Sequence, residues 1–119
     1  MSTTTTVREF FDTYTRALLD RDAAAIADLY AVPALIEFPD QAIAVADRAQ
    51  TETFFAGAFG QYAGVTEARA EATVIAGTGH SVWADVTWYH DGKPAERFVY
   101  QLVRVGDSWR IAVLTPLDL

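Results

Sequence analysis

The chain has 119 residues, a formal net charge of −7, an apolar fraction of 51% and no cysteine. This length supports one hydrophobic core, so we expect a single domain. The lack of cysteine excludes disulfides, thiolate nucleophiles and cysteine-ligated zinc. The acidic balance, with Lys93 as the only lysine, argues against nucleic acid or an anionic membrane as a partner.

The start of the chain is polar and lacks the basic and then apolar layout of a signal peptide. We therefore expect a disordered polar leader over residues 1–6 and one domain over residues 7–119. No apolar run reaches the roughly 18 residues of a membrane span, so no membrane partner is expected. A cytoplasmic location is the default expectation.

Apolar residues at helical spacing predict two helices at the start of this domain. Phe10, Tyr14 and Leu18 mark the first helix, over about residues 7–20. Asp22 is typical of the N-cap of a second, shorter helix, which is predicted to run through Tyr30. A tyrosine in the middle of an apolar stripe needs a hydrogen-bond partner if it is buried, so Tyr14 suggests the lining of a pocket.

Shorter strands and a third helix are expected next. Strands are predicted over residues 35–38 and 43–45, and Asp47 is expected to cap the third helix. From Val65 onward apolar residues recur at every second position, which predicts long strands joined by compact turns. One of these turns, Asp91-Gly92, is typical of a tight hairpin. Helices followed by an antiparallel meander predict an α+β fold.

Both faces of the long strands carry large apolar side chains, although a half-buried strand is normally polar on one face. One face must cover the helices, so we expect the other to meet a second copy of the chain. The predicted homodimer surface is the outer sheet face with Trp83, Tyr89, Phe98, Tyr100 and Leu102.

The order of these elements resembles the nuclear transport factor 2-like superfamily, and within it the ketosteroid isomerase and polyketide cyclase-like (SnoaL-like) group. The resemblance covers about residues 7–115 and implies a cone-shaped fold. In that fold three N-terminal helices pack on a strongly curved, mainly antiparallel sheet around one apolar pocket, commonly in a dimer. The residues that carry it are Phe10, Tyr14, Leu18, Asp22, Ile26, Leu29, Tyr30 and the closing Trp109-Arg110-Ile111.

The resemblance also implies roles for single residues. Tyr14 corresponds to the oxyanion-stabilising tyrosine of the isomerases, and Gln101 to a second donor to the same oxyanion. Phe38 stands where those enzymes have a general-base aspartate, so the usual base is missing. Asp40 is a further catalytic candidate, although its place after Pro39 is typical of a turn.

The expected ligand is a small apolar molecule, and neither a cofactor nor a metal is expected. His80 and His90 flank one predicted strand at a spacing that fits no zinc motif, so we expect both to be solvated turn residues. The pocket lining implied by the resemblance is Tyr14, Tyr30, Phe38, Phe55, Val86, Trp88, Gln101 and Val103.

Two functions are compatible with these residues. The first is a small-ligand-binding domain that lacks the usual general base. The alternative is an isomerase or cyclase that acts on an apolar carbonyl compound, with Tyr14 and Gln101 as the oxyanion donors. The missing base favours the first.

Overall fold

A computed structural model of the chain describes residues 2–119, with every side chain among them except that of Gln61. The helices are α1 (Thr3–Leu19), α2 (Ala23–Asp28) and α3 (Arg48–Ala58), and α3 continues into a 3₁₀ turn (Phe59–Tyr62). The strands are β1 (Tyr30–Phe38), β2 (Gln41–Val45), β3 (Ala68–Gly77), β4 (Ser81–His90), β5 (Lys93–Val105) and β6 (Ser108–Leu117).

The six strands form one curved sheet in the order β2-β1-β6-β5-β4-β3. β1 runs parallel to β6, and the other neighbouring strands are antiparallel. The helices cover one face of this sheet, which we call the inner face, and the core lies between the two layers. The predicted α+β class is confirmed.

α1 begins earlier than predicted. The Ser2 side chain accepts a hydrogen bond from the backbone N–H of Thr5 at 3.1 Å, which caps the helix. Residues 3–6, predicted to belong to a disordered leader, therefore form the first turn of α1. Met1, the first residue of that predicted leader, lies outside the described residues.

Two local predictions are confirmed. Asp47 caps α3 and accepts from the backbone N–H of Gln50 at 2.9 Å, while the Gln50 side chain accepts from the Asp47 N–H at 3.2 Å. The hairpin between β4 and β5 turns at Asp91 and Gly92, whose φ angles of 51° and 84° are those that a tight turn requires. Each feature depends on a few neighbouring residues.

β1 is longer than predicted. It begins at Tyr30, where the second helix was expected to continue, because Tyr30 pairs with Ile111 of β6. That partner lies at the other end of the chain, so the pairing leaves no local pattern in the sequence.

The predicted faces of β5 are reversed. Phe98, Tyr100 and Leu102 are at most 4% exposed and point toward the helices. The homodimer surface predicted with these three residues is therefore wrong at all three. Trp83 and Tyr89 do lie on the opposite, outer face, where both are half-buried.

The same reversal moves Gln101 and Val103, which were expected to line the pocket. Neighbouring residues of a strand point to opposite faces, so both lie on the outer face. Gln101 stands between Trp83 of β4 and Val113 of β6. Alternate residues of β5 are apolar on both faces, so periodicity alone fits either orientation.

None of the helices in the described part of the chain is long and apolar enough to cross a membrane.

Candidate functional site

A cavity of about 70 Å³ lies between the inner face of the sheet and the helices. One water molecule needs on the order of 10–15 Å³ of such space, so the cavity holds a molecule of only a few heavy atoms. Polar side chains line the cavity at two ends, one of them buried and the other half-exposed to solvent. Aromatic rings form a large part of its wall: Tyr14, Phe38, Phe55, Phe59, Tyr62, Trp88, Phe98 and Tyr100.

The buried end contains two hydrogen-bonded pairs of aromatic side chains. The hydroxyl oxygens of Tyr14 and Tyr30 lie 2.6 Å apart, and the indole N–H of Trp88 donates to the Tyr100 hydroxyl at 2.9 Å. All four side chains are at most 4% exposed. Tyr14, Trp88 and Tyr100 line the cavity, and Tyr30 supports Tyr14 from behind.

These bonds leave phenol hydrogens free. The contact between Tyr14 and Tyr30 uses only one of their two hydroxyl hydrogens, and Tyr100 acts as the acceptor in its own bond. The side chains described by the structure supply no acceptor for the remaining hydrogens. When Tyr30 donates to Tyr14, the hydroxyls of Tyr14 and Tyr100 can both donate into the cavity.

Burial raises the pKa of Tyr14, Tyr30 and Tyr100 well above that of an ordinary phenol, because a phenolate there would lose its hydration. The charge of Glu96 adds a smaller increase to the pKa of Tyr14 and of Tyr100. The three hydroxyls are therefore protonated at neutral pH, and they act as hydrogen-bond donors and not as bases.

The other end of the cavity carries a polar cluster of Tyr62, His90 and Glu96. The Tyr62 hydroxyl donates to Oε2 of Glu96 at 3.3 Å, and Nε2 of His90 lies 3.8 Å from Oε1. The side chains of Glu96 and His90 are 27% and 19% exposed. Burial, and then the nearby carboxylate, raise the pKa of Tyr62 above that of an ordinary phenol.

Strand register brings this cluster to the cavity. Glu96 pairs with Trp88 across β4 and β5, next to an irregularity where the register shifts by one residue. Because side chains alternate along a strand, Glu96, Phe98 and Tyr100 share the inner face. His90, two residues beyond Trp88, shares it as well, so the imidazole and the carboxylate meet.

Arg21 holds the segment that carries Tyr62. Its Nη2 donates to the carbonyl oxygens of Tyr62 at 2.8 Å and of Val65 at 3.4 Å, while Nη1 donates to that of Leu19 at 3.0 Å. Arg21 has a φ of 52° in the turn between α1 and α2, an uncommon value outside glycine. Arg21 also lines the cavity, and three of its five N–H groups donate to these backbone carbonyls.

A family model described as "NTF2-like protein (DUF6841)" matches residues 4–118. The chain belongs to this NTF2-like family. The match spans nearly all of the described residues and confirms the resemblance to the nuclear transport factor 2-like superfamily. No curated protein sequence matches the chain significantly.

Solved structures share the NTF2-like fold at low identity. An NTF2-like protein of unknown function from Shewanella oneidensis superposes with a TM-score of 0.75 at 12% identity, over 98% of this chain and 100% of that chain. A domain of unknown function with a cystatin-like fold from Nostoc punctiforme gives 0.71 at 15%, over 100% and 82%. A candidate scytalone dehydratase from Novosphingobium aromaticivorans gives 0.68 at 11%, over 97% and 84%. At these identities the likeness shows the fold alone, and the predicted cone shape is confirmed.

In this NTF2-like chain the predicted pocket residues fall into three groups. Tyr14, Phe38, Phe55 and Trp88 line the cavity. Tyr30 and Val86 are buried beside it and do not line it. Gln101 and Val103 lie on the outer face of the sheet.

Both additional catalytic candidates lie away from the cavity. Asp40 is exposed in the turn between β1 and β2, where aspartate is favoured for local hydrogen bonding. Gln101 is separated from the cavity by the sheet itself. The expectation that these two residues act at the pocket is therefore wrong, and Tyr100 takes the place beside Tyr14 that Gln101 was expected to hold.

The sequence analysis did not predict that the polar residues Arg21, Tyr62, His90, Glu96 and Tyr100 line the cavity of this NTF2-like chain. His90 was expected to be a solvated turn residue, yet it is the last residue of β4 and 19% exposed at its side chain. One signal was available for Glu96. It precedes Phe98 by two residues and Tyr100 by four, so it shares their face once that face is known to be the inner one.

No cluster of three or more His, Asp or Glu side chains within residues 2–119 is placed to hold a metal ion.

Proposed function

We propose that this NTF2-like chain binds a small, largely apolar molecule that carries an oxygen acceptor. The observation that supports this is an apolar cavity onto which Tyr14 and Tyr100 present buried hydroxyls with unused hydrogens. These donors have already lost their hydration, so a ligand oxygen is favourable there. The volume of about 70 Å³ suits a few heavy atoms, or one end of a longer molecule that enters past Glu96.

The binding proposal is tested by NMR titration with 2-butanone. We expect saturable shifts at Tyr14, Trp88 and Tyr100, and Tyr100→Phe is expected to weaken binding about five- to tenfold, the effect of one neutral hydrogen bond. Tyr89→Phe is the matched control, because it removes a hydroxyl from the outer face. Equal loss in both variants would overturn the proposal, and so would the absence of saturable shifts with 2-butanone and with four-carbon alcohols and amines alike.

A second candidate function is proton transfer on a carbonyl compound. The observation that favours it is that Glu96 presents a carboxylate to the cavity onto which Tyr14 and Tyr100 present donors. In such a step Glu96 takes the proton next to the carbonyl group, the electron pair of that C–H bond forms a C=C bond, and the pair of the C=O π bond moves to the oxygen, where the phenols stabilise the charge. The general base would then be Glu96, and not a residue at the position of Phe38, where the isomerases have their aspartate.

Proton transfer is measured as deuterium incorporation next to the carbonyl group of 2-butanone in deuterated water. The candidate function requires exchange above the buffer rate, with a loss of roughly 100-fold or more in Glu96→Gln. Exchange at the buffer rate in the unaltered protein rejects this function and leaves the binding proposal intact.

We further propose that two copies pair through the outer face of the sheet. Trp83, Gln101, Val113 and Leu35 form a row across β4, β5, β6 and β1, all of them half-buried or exposed in the single chain. A continuous, largely apolar row of this kind is typical of protein interfaces. This row replaces the surface predicted from sequence.

Sedimentation velocity tests the pairing. The unaltered chain is expected to sediment as a dimer, and Trp83→Arg is expected to shift it to a monomer, because an arginine there would have to be buried without a partner charge. Thr53→Arg, at an exposed position of α3, serves as the control for the added charge. A monomeric unaltered protein would contradict the proposal.

A further inference from the structure

Glu96 lines an aromatic cavity, and its carboxylate has acceptor sites without a hydrogen-bond partner in the chain. We infer that the molecule bound there is a small organic ammonium ion with Glu96 as its counterion. This inference rests on the proposed binding function and narrows its ligand to one chemical class.

Glu96 has few partners within the chain. A carboxylate has about four acceptor sites, and Glu96 accepts one hydrogen bond, from Tyr62 at 3.3 Å. His90 lies 3.8 Å from its other oxygen, which is beyond hydrogen-bond distance. Within the described residues no arginine or lysine forms an ion pair with it. Much of its capacity is therefore available to a ligand.

A second carboxylate on the same sheet shows the contrast. Asp85, on the outer face, accepts from Nε of Arg97 at 3.0 Å and also from Nη2, and this guanidinium lowers the pKa of Asp85 below its usual value. Its charge is thus matched within the chain. Glu96 has no such cation, and Arg21, which also lines the cavity, gives its hydrogen bonds to backbone carbonyls.

The walls around Glu96 are also suited to a cation. Phe38, Phe59, Tyr62, Trp88 and Phe98 line the same cavity as Glu96. Aromatic faces attract cations, and the attraction grows when the cation is desolvated. A small ammonium ion therefore exchanges its water for a carboxylate and for aromatic rings, whereas a neutral alcohol gains no ionic contact.

The two ends of the cavity also set the direction of the ligand. Tyr14 and Tyr100 can donate hydrogen bonds at the buried end, and Glu96 can accept them at the half-exposed end. An ammonium group is a donor without acceptor capacity, so it belongs at Glu96. An oxygen elsewhere in the same molecule would point to the phenols.

NMR titration with n-butylamine and 1-butanol tests the inference, because the two compounds match in size and differ in charge. At about pH 8, alkylammonium groups carry their charge. We expect the amine to bind at least tenfold more tightly than the alcohol. Glu96→Gln is expected to remove this preference by lowering the affinity for the amine at least tenfold.

Glu71→Gln is the matched control, since it makes the same substitution at an exposed position of β3. It should leave both affinities unchanged. The amine-to-alcohol ratio of the unaltered protein is a test that does not depend on the folding of any variant.

Equal affinity for the two compounds, or a preference for the amine that persists in Glu96→Gln, would overturn the ammonium inference. If 2-butanone binds in the cavity and the amine does not, the inference fails while the binding function stands. If none of the three compounds binds, the binding function fails and the inference fails with it.

Discussion

The two ends of the cavity differ in exposure and in the charge of their polar groups. At the buried end, Tyr14, Trp88 and Tyr100 are at most 4% exposed and offer only neutral groups. At the half-exposed end, the side chains of His90 and Glu96 are 19% and 27% exposed and include a carboxylate. An isolated charge is costly to bury, whereas a hydrogen-bonded phenol is not. Neutral hydrogen-bond donors can therefore lie deep in this fold, while an ionic group must stay where water reaches it.

The two ends also differ in what holds them. The ring of Tyr100 packs against that of Phe11 with centroids 4.9 Å apart, and Tyr14 packs against Trp88 at 5.9 Å, so the buried end is part of the core. At the other end, the segment with Tyr62 is tied to the α1–α2 turn by the side chain of Arg21. We therefore expect changes at the buried end to affect folding, and changes at the half-exposed end to affect binding.

The largest effect is expected for Tyr100→Ala. Tyr100 is 2% exposed, and its removal leaves a cavity among aromatic rings. The free energy of unfolding is expected to fall by about 3–5 kcal/mol, as for other large aromatic core residues. Urea unfolding measures this loss. Tyr89→Ala, on the outer face, should cost clearly less, and a similar cost for both would remove the distinction between core and surface.

Alkaline pH provides a second test of the buried end. Unfolded tyrosines lose their protons near pH 10, whereas Tyr14, Tyr30 and Tyr100 have raised pKa values and keep theirs when folded. The unfolded state therefore binds fewer protons, and stability falls as pH rises above about 10. Each such tyrosine contributes a slope of about 1.4 kcal/mol per pH unit in that window.

Replacing one of these phenols should remove one proton from the slope. Tyr100→Phe is expected to reduce the pH dependence of the free energy of unfolding by about 1.4 kcal/mol per pH unit above pH 10, measured by urea unfolding at several pH values. Phe10→Leu, a buried change without a titrating group, is the control and should leave the slope intact. An unchanged slope in Tyr100→Phe would mean that the phenol ionises in the folded state.

A smaller effect is expected from the bond between the hydroxyls of Tyr14 and Tyr30. Each single change to phenylalanine should lower the free energy of unfolding by about 1–2 kcal/mol, because it leaves the other buried hydroxyl without its partner. The double variant should lose less than the sum, with a coupling energy of about 1 kcal/mol. Additive losses would show that the short contact contributes nothing as a pair.

Local signals explain which parts of the fold are readable from sequence. The N-cap at Asp47 and the positive-φ turn at Asp91-Gly92 each need only nearby residues, and both were predicted. β1 was predicted too short, because its first residue, Tyr30, is held by Ile111. Pairings between distant parts of the chain have no local pattern.

The candidate site was harder to predict than the fold for a related reason. Both faces of β5 are apolar, so the assignment of Phe98 and Tyr100 to the outer face fitted the periodicity as well as the true one. That reversal agreed with the place in the pocket that the family resemblance implied for Gln101, and it left Glu96 unnoticed. Tyr14 escaped this ambiguity, because an amphipathic helix presents only one apolar stripe to the core.

The smallest change in stability is expected at the half-exposed end. Glu96→Gln keeps an oxygen that can accept from Tyr62, and it removes a charge from a position that water still reaches. We expect the free energy of unfolding to change by less than about 1 kcal/mol, measured by urea unfolding beside the exposed control Glu71→Gln. A loss of several kcal/mol would mean that Glu96 is a structural residue. A small change together with weaker binding of n-butylamine would instead separate the two ends, because the carboxylate would then serve the ligand while the phenols and rings beneath it also hold the fold together.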